Sequence, residues 1–316
     1  MKQKVAFLFP GQGSQTIGML AELLEDFPNI SKTFNEASDV LGYDLWDIAQ
    51  NDATKLNQTE YTQPILLTAS IAIWRVLRDN TSVLPDFLAG HSLGEYSALV
   101  AADALDFKTA VELVAKRGRY MQNAVLDGQG AMAVVLGMTG DVVESVCKNI
   151  SKTDSSVSAV NFNSQFQVVI AGHKAAVEVA INELKNRGAK RAMLLPVSVP
   201  SHCALMQSAA IEFQKELESS NICSPKIPVI HNADLQGHHD PKKINQALVN
   251  QLTMPVRWLK TIELLVENGC GQFVECGAGS VLTGLNKRIN CNIPCMATNN
   301  VNNLGAAILE LNQVHV

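Results

Sequence analysis

Phe87-Leu88-Ala89-Gly90-His91-Ser92-Leu93-Gly94-Glu95-Tyr96 carries an apolar run into a helical pattern through Gly-His-Ser-Leu-Gly. A serine at such a junction sits on a turn so tight that a Cβ two residues before or after it would collide with backbone, which accounts for Gly90 and Gly94. The turn pushes the Ser92 hydroxyl into the open. The first amides of the following helix, Leu93 N–H above all, then point at whatever bonds to Ser92, and the helix dipole adds positive potential there. A G-x-S-x-G match also arises by chance in a chain with 20 glycines, so the strand and helix flanks give it weight. The expectation is an α/β fold with a hydrolase-like parallel sheet and Ser92 on a nucleophile elbow.

Composition agrees with an α/β enzyme. With 316 residues, 47% of them hydrophobic, the chain can bury a large core, and its length suggests about two domains. Only 17% of residues are charged and the net charge is -5, which argues against a nucleic-acid partner, as does the lack of a Lys/Arg run interleaved with aromatics. The apolar stretch Val5–Phe9 is short for a signal peptide, and no uncharged run of about 18 residues would span a bilayer. A cytoplasmic protein with no membrane partner is expected. The seven cysteines lack paired C-x-x-C spacing, so free thiols and no metal are expected.

Val5–Phe9 reads as a buried strand running into Pro10-Gly11-Gln12-Gly13-Ser14-Gln15, a loop whose glycines let backbone amides approach a ligand. It lacks the lysine and spacing of a Walker motif, and Gln12 N–H is the candidate second oxyanion donor, facing Leu93 N–H. Thr62-Gln63-Pro64 opens a helix running to about Leu77, with proline in its first turn. A helix from Glu95 to about Ala102 follows the elbow, and another runs from about Phe107 to Val125. On that second helix Ala110, Leu113, Val114, Met121, Ala124 and Val125 form one apolar stripe with Arg117 in its middle. A guanidinium there must face an anion, either a protein carboxylate or an anionic ligand, because an unpaired buried charge costs several kcal/mol.

From Gly128 the pattern changes to strand 130–136, helix 139–148, strands 157–162 and 167–171, helix 174–187 and strand 191–197. That βαββαβ order is the ferredoxin-like unit. Residues 128–198 are therefore expected to form a small domain inserted into a larger α/β hydrolase-like domain of residues 1–127 and 199–316. The larger core resumes with strands 227–231 and 272–276 and helices near 282–288 and 304–311.

Ser92 needs a base. His91 should turn into the protein, and His173, His231, His238, His239 and His315 lie in turn, strand, polar-loop or tail contexts. His202 follows the strand and loop that return the chain from the inserted domain, so context selects it. No acid announces itself as a third member, although a backbone carbonyl can orient an imidazole equally well.

Taken together these segments resemble the malonyl-CoA:acyl carrier protein transacylases of bacterial fatty-acid synthesis, relatives of the acyltransferase domains of polyketide synthases. The resemblance spans essentially the whole chain: residues 9–15, 62–64, 90–95, Arg117-Gly118, Val199-Pro200-Ser201-His202-Cys203, Gln251-Leu252, Pro255-Val256 and Glu275-Cys276-Gly277-Ala278-Gly279. It implies Ser92 as the acylated nucleophile, His202 as its base, Gln251 holding His202 through its main-chain carbonyl, and the Gln12 and Leu93 amides as oxyanion hole. It further implies that Arg117 takes the free carboxylate of malonate and that Asn161 is a lesser contact. Ala278 stands where proline would be expected, a change in a loop rather than in the chemistry.

The implied reaction is ping-pong transfer of malonyl from malonyl-CoA to the phosphopantetheine thiol of holo acyl carrier protein, with the coenzyme A thioester as substrate and no cofactor. Such carriers are acidic while this chain is net negative, so docking is expected to use a local patch, with Lys185, Arg187, Lys190, Arg191, Lys287 and Arg288 as candidates. Two rivals share parts of this pattern. A serine hydrolase would admit water to the acyl-enzyme and usually keeps an acidic partner; a non-enzymatic coenzyme-binding module would form no acyl-serine.

Overall fold

The computed structural model describes residues 3–126, 128–197 and 199–314. The expected domain boundaries at Asp127 and Ser198, and the tail histidine His315, lie outside the described residues.

Two sheets organise the chain. The first has the order β7-β2-β1-β8-β9, built from β1 (Lys4–Phe9), β2 (Phe87–Gly90), β7 (Val229–Ile230), β8 (Cys270–Glu275) and β9 (Cys295–Ala297), every neighbouring pair parallel. Its central strand is apolar at successive positions because both faces are covered. Val5, Phe7 and Phe9 pack into one cluster with helix Thr59–Asn80, while Ala6 and Leu8 pack into another with Trp258, Ile262 and Leu285. The second sheet is antiparallel with the order β4-β5-β3-β6, from β3 (Gly130–Leu136), β4 (Val157–Ser164), β5 (Gln167–His173) and β6 (Arg191–Leu194). Side chains alternate here: Ala131, Ala133 and Val135 face helices Gly140–Ile150 and Lys174–Asn186, while Met132, Val169 and Ala171 face Cys203 and Leu205.

A seam ties the second sheet to the segment before helix Trp258–Glu267, which packs against the first. The main chain of β4 bonds residue Val256, with Phe162 N–H donating to Val256 O at 2.9 Å and Val256 N–H to Val160 O at 2.8 Å.

Several boundaries differ from the sequence expectation. The long helix starts at Thr59, three residues early, so Pro64 lies inside it. β6 stops at Leu194, and after Leu195 donates to Met132 O, Pro196 has no amide to extend the ladder. Strand 227–231 shrinks to Val229–Ile230. Helices Asn29–Leu41, Gln207–Ser219, Pro241–Gln251 and Trp258–Glu267 lay outside the expected set.

The turn after β2 is as tight as its glycines imply. A Cβ on Gly90 would overlap the backbone of Gly94 and Glu95, and one on Gly94 would overlap the Phe9 carbonyl of β1. Gly94→Ala is therefore expected to cost roughly 3 kcal/mol or more, because only rigid main chain could give way. Chemical denaturation checks it: a midpoint within error of the parent would show that the turn has slack.

Candidate functional site

The site lies at the carboxyl ends of the parallel strands, where an open α/β sheet leaves loops free to converge. Ser92 follows β2 and holds a left-handed φ of 53°, and His202 likewise holds φ 64°. Such strain in non-glycine residues costs on the order of 1–3 kcal/mol and persists only where surroundings enforce it. For Ser92 the enforcing group is Asn232, whose Oδ1 accepts Ser92 N–H at 2.8 Å while its Nδ2 donates to Gly90 O at 2.7 Å.

Ser92 Oγ lies 2.8 Å from His202 Nε2. On the other side of the ring, Nδ1 is 2.7 Å from the Gln251 carbonyl. A carbonyl only accepts, so Nδ1 carries the proton and Nε2 is left as acceptor for the serine hydroxyl. His202 is 3% exposed. Burial first, then the Arg117 cation, push its pKa down to about 3, so the imidazole is neutral at ordinary pH.

Arg117 is 1% exposed in the middle of helix Phe107–Asn123, on the core-facing stripe as its spacing requires. It reaches the site because that helix crosses Thr59–Asn80 closely at Gly118, where a Cβ would come within 2.6 Å of Thr59 O. Among the described residues no carboxylate lies within ion-pair distance of it. Instead Nη1 donates to Gln63 Oε1 and Nη2 to Gln251 Oε1, each at 2.9 Å, with Nη2 also 3.4 Å from Ser92 Oγ. Burial lowers the Arg117 pKa from its ordinary value, yet a guanidinium keeps its charge at any working pH. The site thus pairs a reactive hydroxyl with a cation whose near partners are neutral amides.

Gln12, Leu93 and Asn161 line the same cavity of about 110 Å³ with Ser92, His202 and Arg117. Among the described residues neither Gln12 N–H nor Leu93 N–H has a protein acceptor. Asn161 sits at a register shift of β4, and its Oδ1 is buried without a partner among the described residues. All seven site residues named from sequence therefore converge. His91 turns inward as expected, its ring centroid 5.5 Å from that of buried Trp258 and its Nε2 2.9 Å from Asn163 Oδ1 of β4, and it also lines the cavity.

Sequence reasoning missed Asn232, Glu95, His231 and the role of Gln63. Glu95 is fully buried and accepts from His231 Nδ1 at 2.6 Å, Asn232 N at 2.9 Å and Gln251 Nε2 at 2.8 Å. The available signal was His231-Asn232 at the carboxyl end of a short parallel strand, where polar residues serve sites more often than cores. The seven cysteines are free thiols. No described helix is long and apolar enough to cross a membrane.

A tight strand-to-helix serine, a buried neutral histidine and an unpaired cation define an acyl-transfer site, and the chain belongs to the acyl transferase domain family, whose model matches residues 6–291. Within that family its relatives are malonyl CoA-acyl carrier protein transacylases. That of Salmonella typhimurium is 49% identical over 306 residues, 96% of this chain and 99% of the relative. The solved structure of the Coxiella burnetii malonyl CoA-acyl carrier protein transacylase is 47% identical, with a TM-score of 0.96 over 99% of both chains. A malonyl-transacylase solved in complex with its type II PKS acyl-carrier protein is 50% identical, with a TM-score of 0.95 over 97% of this chain and 99% of that one.

Proposed function

We propose that this chain transfers the malonyl group of malonyl-CoA to the phosphopantetheine thiol of holo acyl carrier protein in fatty-acid synthesis, through a malonyl-Ser92 intermediate. The carrying observation is the buried Arg117 guanidinium, which reaches the Ser92 hydroxyl at 3.4 Å and whose other side-chain hydrogen-bond partners among the described residues are the neutral amides of Gln63 and Gln251. A cation so placed suits an acyl group with a carboxylate at its far end. The names of the relatives, and the neighbour solved with a carrier protein, support the same substrate and partner.

In this reading the turn at Ser92 is a nucleophile elbow. His202 Nε2 takes the hydroxyl proton as Ser92 Oγ bonds the thioester carbon, and the oxyanion rests on Gln12 N–H and Leu93 N–H. Collapse breaks the C–S bond, and His202 returns the proton to the departing thiolate. The carrier thiol then gives its proton to His202, attacks the malonyl ester, and releases Ser92 with that proton. Gln251 orients His202, Asn161 is a lesser contact, and coenzyme A enters as a thioester substrate with no cofactor required. Residues 128–198 form an inserted ferredoxin-like domain, 1–127 and 199–316 the hydrolase-like catalytic domain, and the protein works in the cytoplasm. For carrier docking Arg187 and Arg288 are already engaged, by Glu183 at 2.7 Å and Gln167 at 2.8 Å, which leaves Lys185, Lys190, Arg191 and Lys287 as the cations to test.

Intact-mass measurement after mixing with malonyl-CoA tests this. One malonyl adduct is expected, mapped to Ser92, discharged by holo carrier protein and absent from Ser92→Ala. No adduct would refute covalent transfer. An adduct that clears quickly without acceptor would favour a hydrolase.

A further inference from the structure

Arg117 and Glu95 are two buried opposite charges that do not touch. One primary amide lies between them: Gln251 Oε1 accepts from Arg117 Nη2 at 2.9 Å, and Gln251 Nε2 donates to Glu95 Oε2 at 2.8 Å. The amide dipole is thereby aligned from cation to anion. Three donors converge on Glu95, from His231, Asn232 and Gln251, which fixes the carboxylate; Gln251 Nε2 also donates to Ser92 O at 3.0 Å, so the carboxylate and that carbonyl together decide which end of the amide meets Arg117.

Direct contact would defeat the site. A carboxylate forked onto Arg117 would occupy the donors that an incoming anion needs, whereas no anion at all would leave the buried cation uncompensated. Relayed through a neutral amide, the negative charge compensates the guanidinium and leaves its serine-facing side open. We propose that Glu95 is a positioning residue for acyl-group selection: acting through the Gln251 side chain, it orients and charge-compensates Arg117 without competing for the substrate carboxylate. The inference rests on the malonyl-transfer reading above.

Glu95→Gln tests it, because shape is kept while one of two acceptor oxygens becomes a donor. That donor can meet His231 Nδ1 in its other tautomer, while the remaining neutral oxygen accepts from Gln251 Nε2 more weakly than a carboxylate does, so the amide that holds Arg117 loses its firmest anchor and the guanidinium shifts. The malonyl-over-acetyl ratio of acyl-enzyme formation is expected to fall about tenfold or more, through a higher KM for malonyl-CoA. Gln251→Met, which keeps the main-chain carbonyl for His202, is expected to lower the same ratio, and Glu95→Gln is then expected to lower it no further in that background. A ratio unchanged by Glu95→Gln, or additive effects in the double variant, would overturn the relay.

Should Glu95→Gln not fold, the wild-type enzyme labelled with nitrogen-15 glutamine answers the question. One side-chain amide signal, assigned by its loss in Gln251→Met, is expected to be exchange-protected and shifted downfield by its carboxylate acceptor, and an unshifted, freely exchanging signal overturns the relay. A wild-type protein that forms no malonyl-Ser92 would instead refute the underlying reading, leaving the two failures distinct.

Discussion

His202→Ala is expected to slow acyl-enzyme formation by on the order of 10⁴-fold, with folding intact by circular dichroism. The size follows from geometry. Ser92 Oγ and His202 Nε2 stand 2.8 Å apart, and the Gln251 carbonyl holds the opposite proton in place, so the proposed base is poised before substrate arrives. Among the described residues no second imidazole or carboxylate is bonded to Ser92 Oγ, so nothing takes over when the ring is removed. The same burial sets the pH behaviour. With the His202 pKa pushed down to about 3, the base form persists far below the ordinary 6.5, and acylation by malonyl-CoA should hold level between pH 8 and pH 5. Stability takes the opposite cost: the unfolded chain binds a proton below pH 6.5 that the folded site refuses, so stability declines as pH falls toward about 3. The alanine variant should show a shallower decline. Single-turnover quench measurements across pH, with thermal melts, decide both; an acylation rate that falls tenfold per pH unit below 6.5 would show His202 to be solvated.

Arg117→Ala is expected to change acyl preference more than total reactivity. A malonyl carboxylate brought into this pocket without the guanidinium would be a buried charge with no partner, a cost of about 3–5 kcal/mol, or a few hundred- to a few thousand-fold in kcat/KM. An acetyl group carries no such charge, and in the parent enzyme it leaves Arg117 with the neutral partners Gln63 and Gln251 and no anion among the described residues. Acetyl transfer should therefore rise relative to malonyl transfer. Competition between malonyl-CoA and acetyl-CoA, read as the mass of the adduct on Ser92, measures the ratio directly; an unchanged ratio would remove Arg117 from substrate selection.

What the sequence disclosed was whatever rests on local rules. Gly90 and Gly94 announce a turn by steric necessity, Arg117 stands out because 3.6-residue periodicity puts it among apolar neighbours, and β-α-β-β-α-β order is legible because strand and helix periods differ. What stayed hidden depends on partners distant in the chain. Glu95 and His231 are 136 residues apart, and Ser92 meets Asn232 across 140, so no local pattern reports either pair. Pro64 misled for a related reason: proline favours a first turn, but tertiary packing of Thr59 and Thr62 carried the helix start back beyond it. Gln251 was named for its backbone, and its side chain proves equally engaged, which a motif cannot convey.

The seam between β4 and Val256 has a mechanical consequence. Because the antiparallel sheet is bonded to Val256 by two main-chain hydrogen bonds, and to the turn after β2 where His91 meets Asn163, opening the cleft at this edge would break all three. Widening of the aperture above Ser92 at this edge is therefore expected to be disfavoured. Reach into the cavity is then expected to come from the flexible arm of the carrier, and turnover should track the tethering and length of that arm.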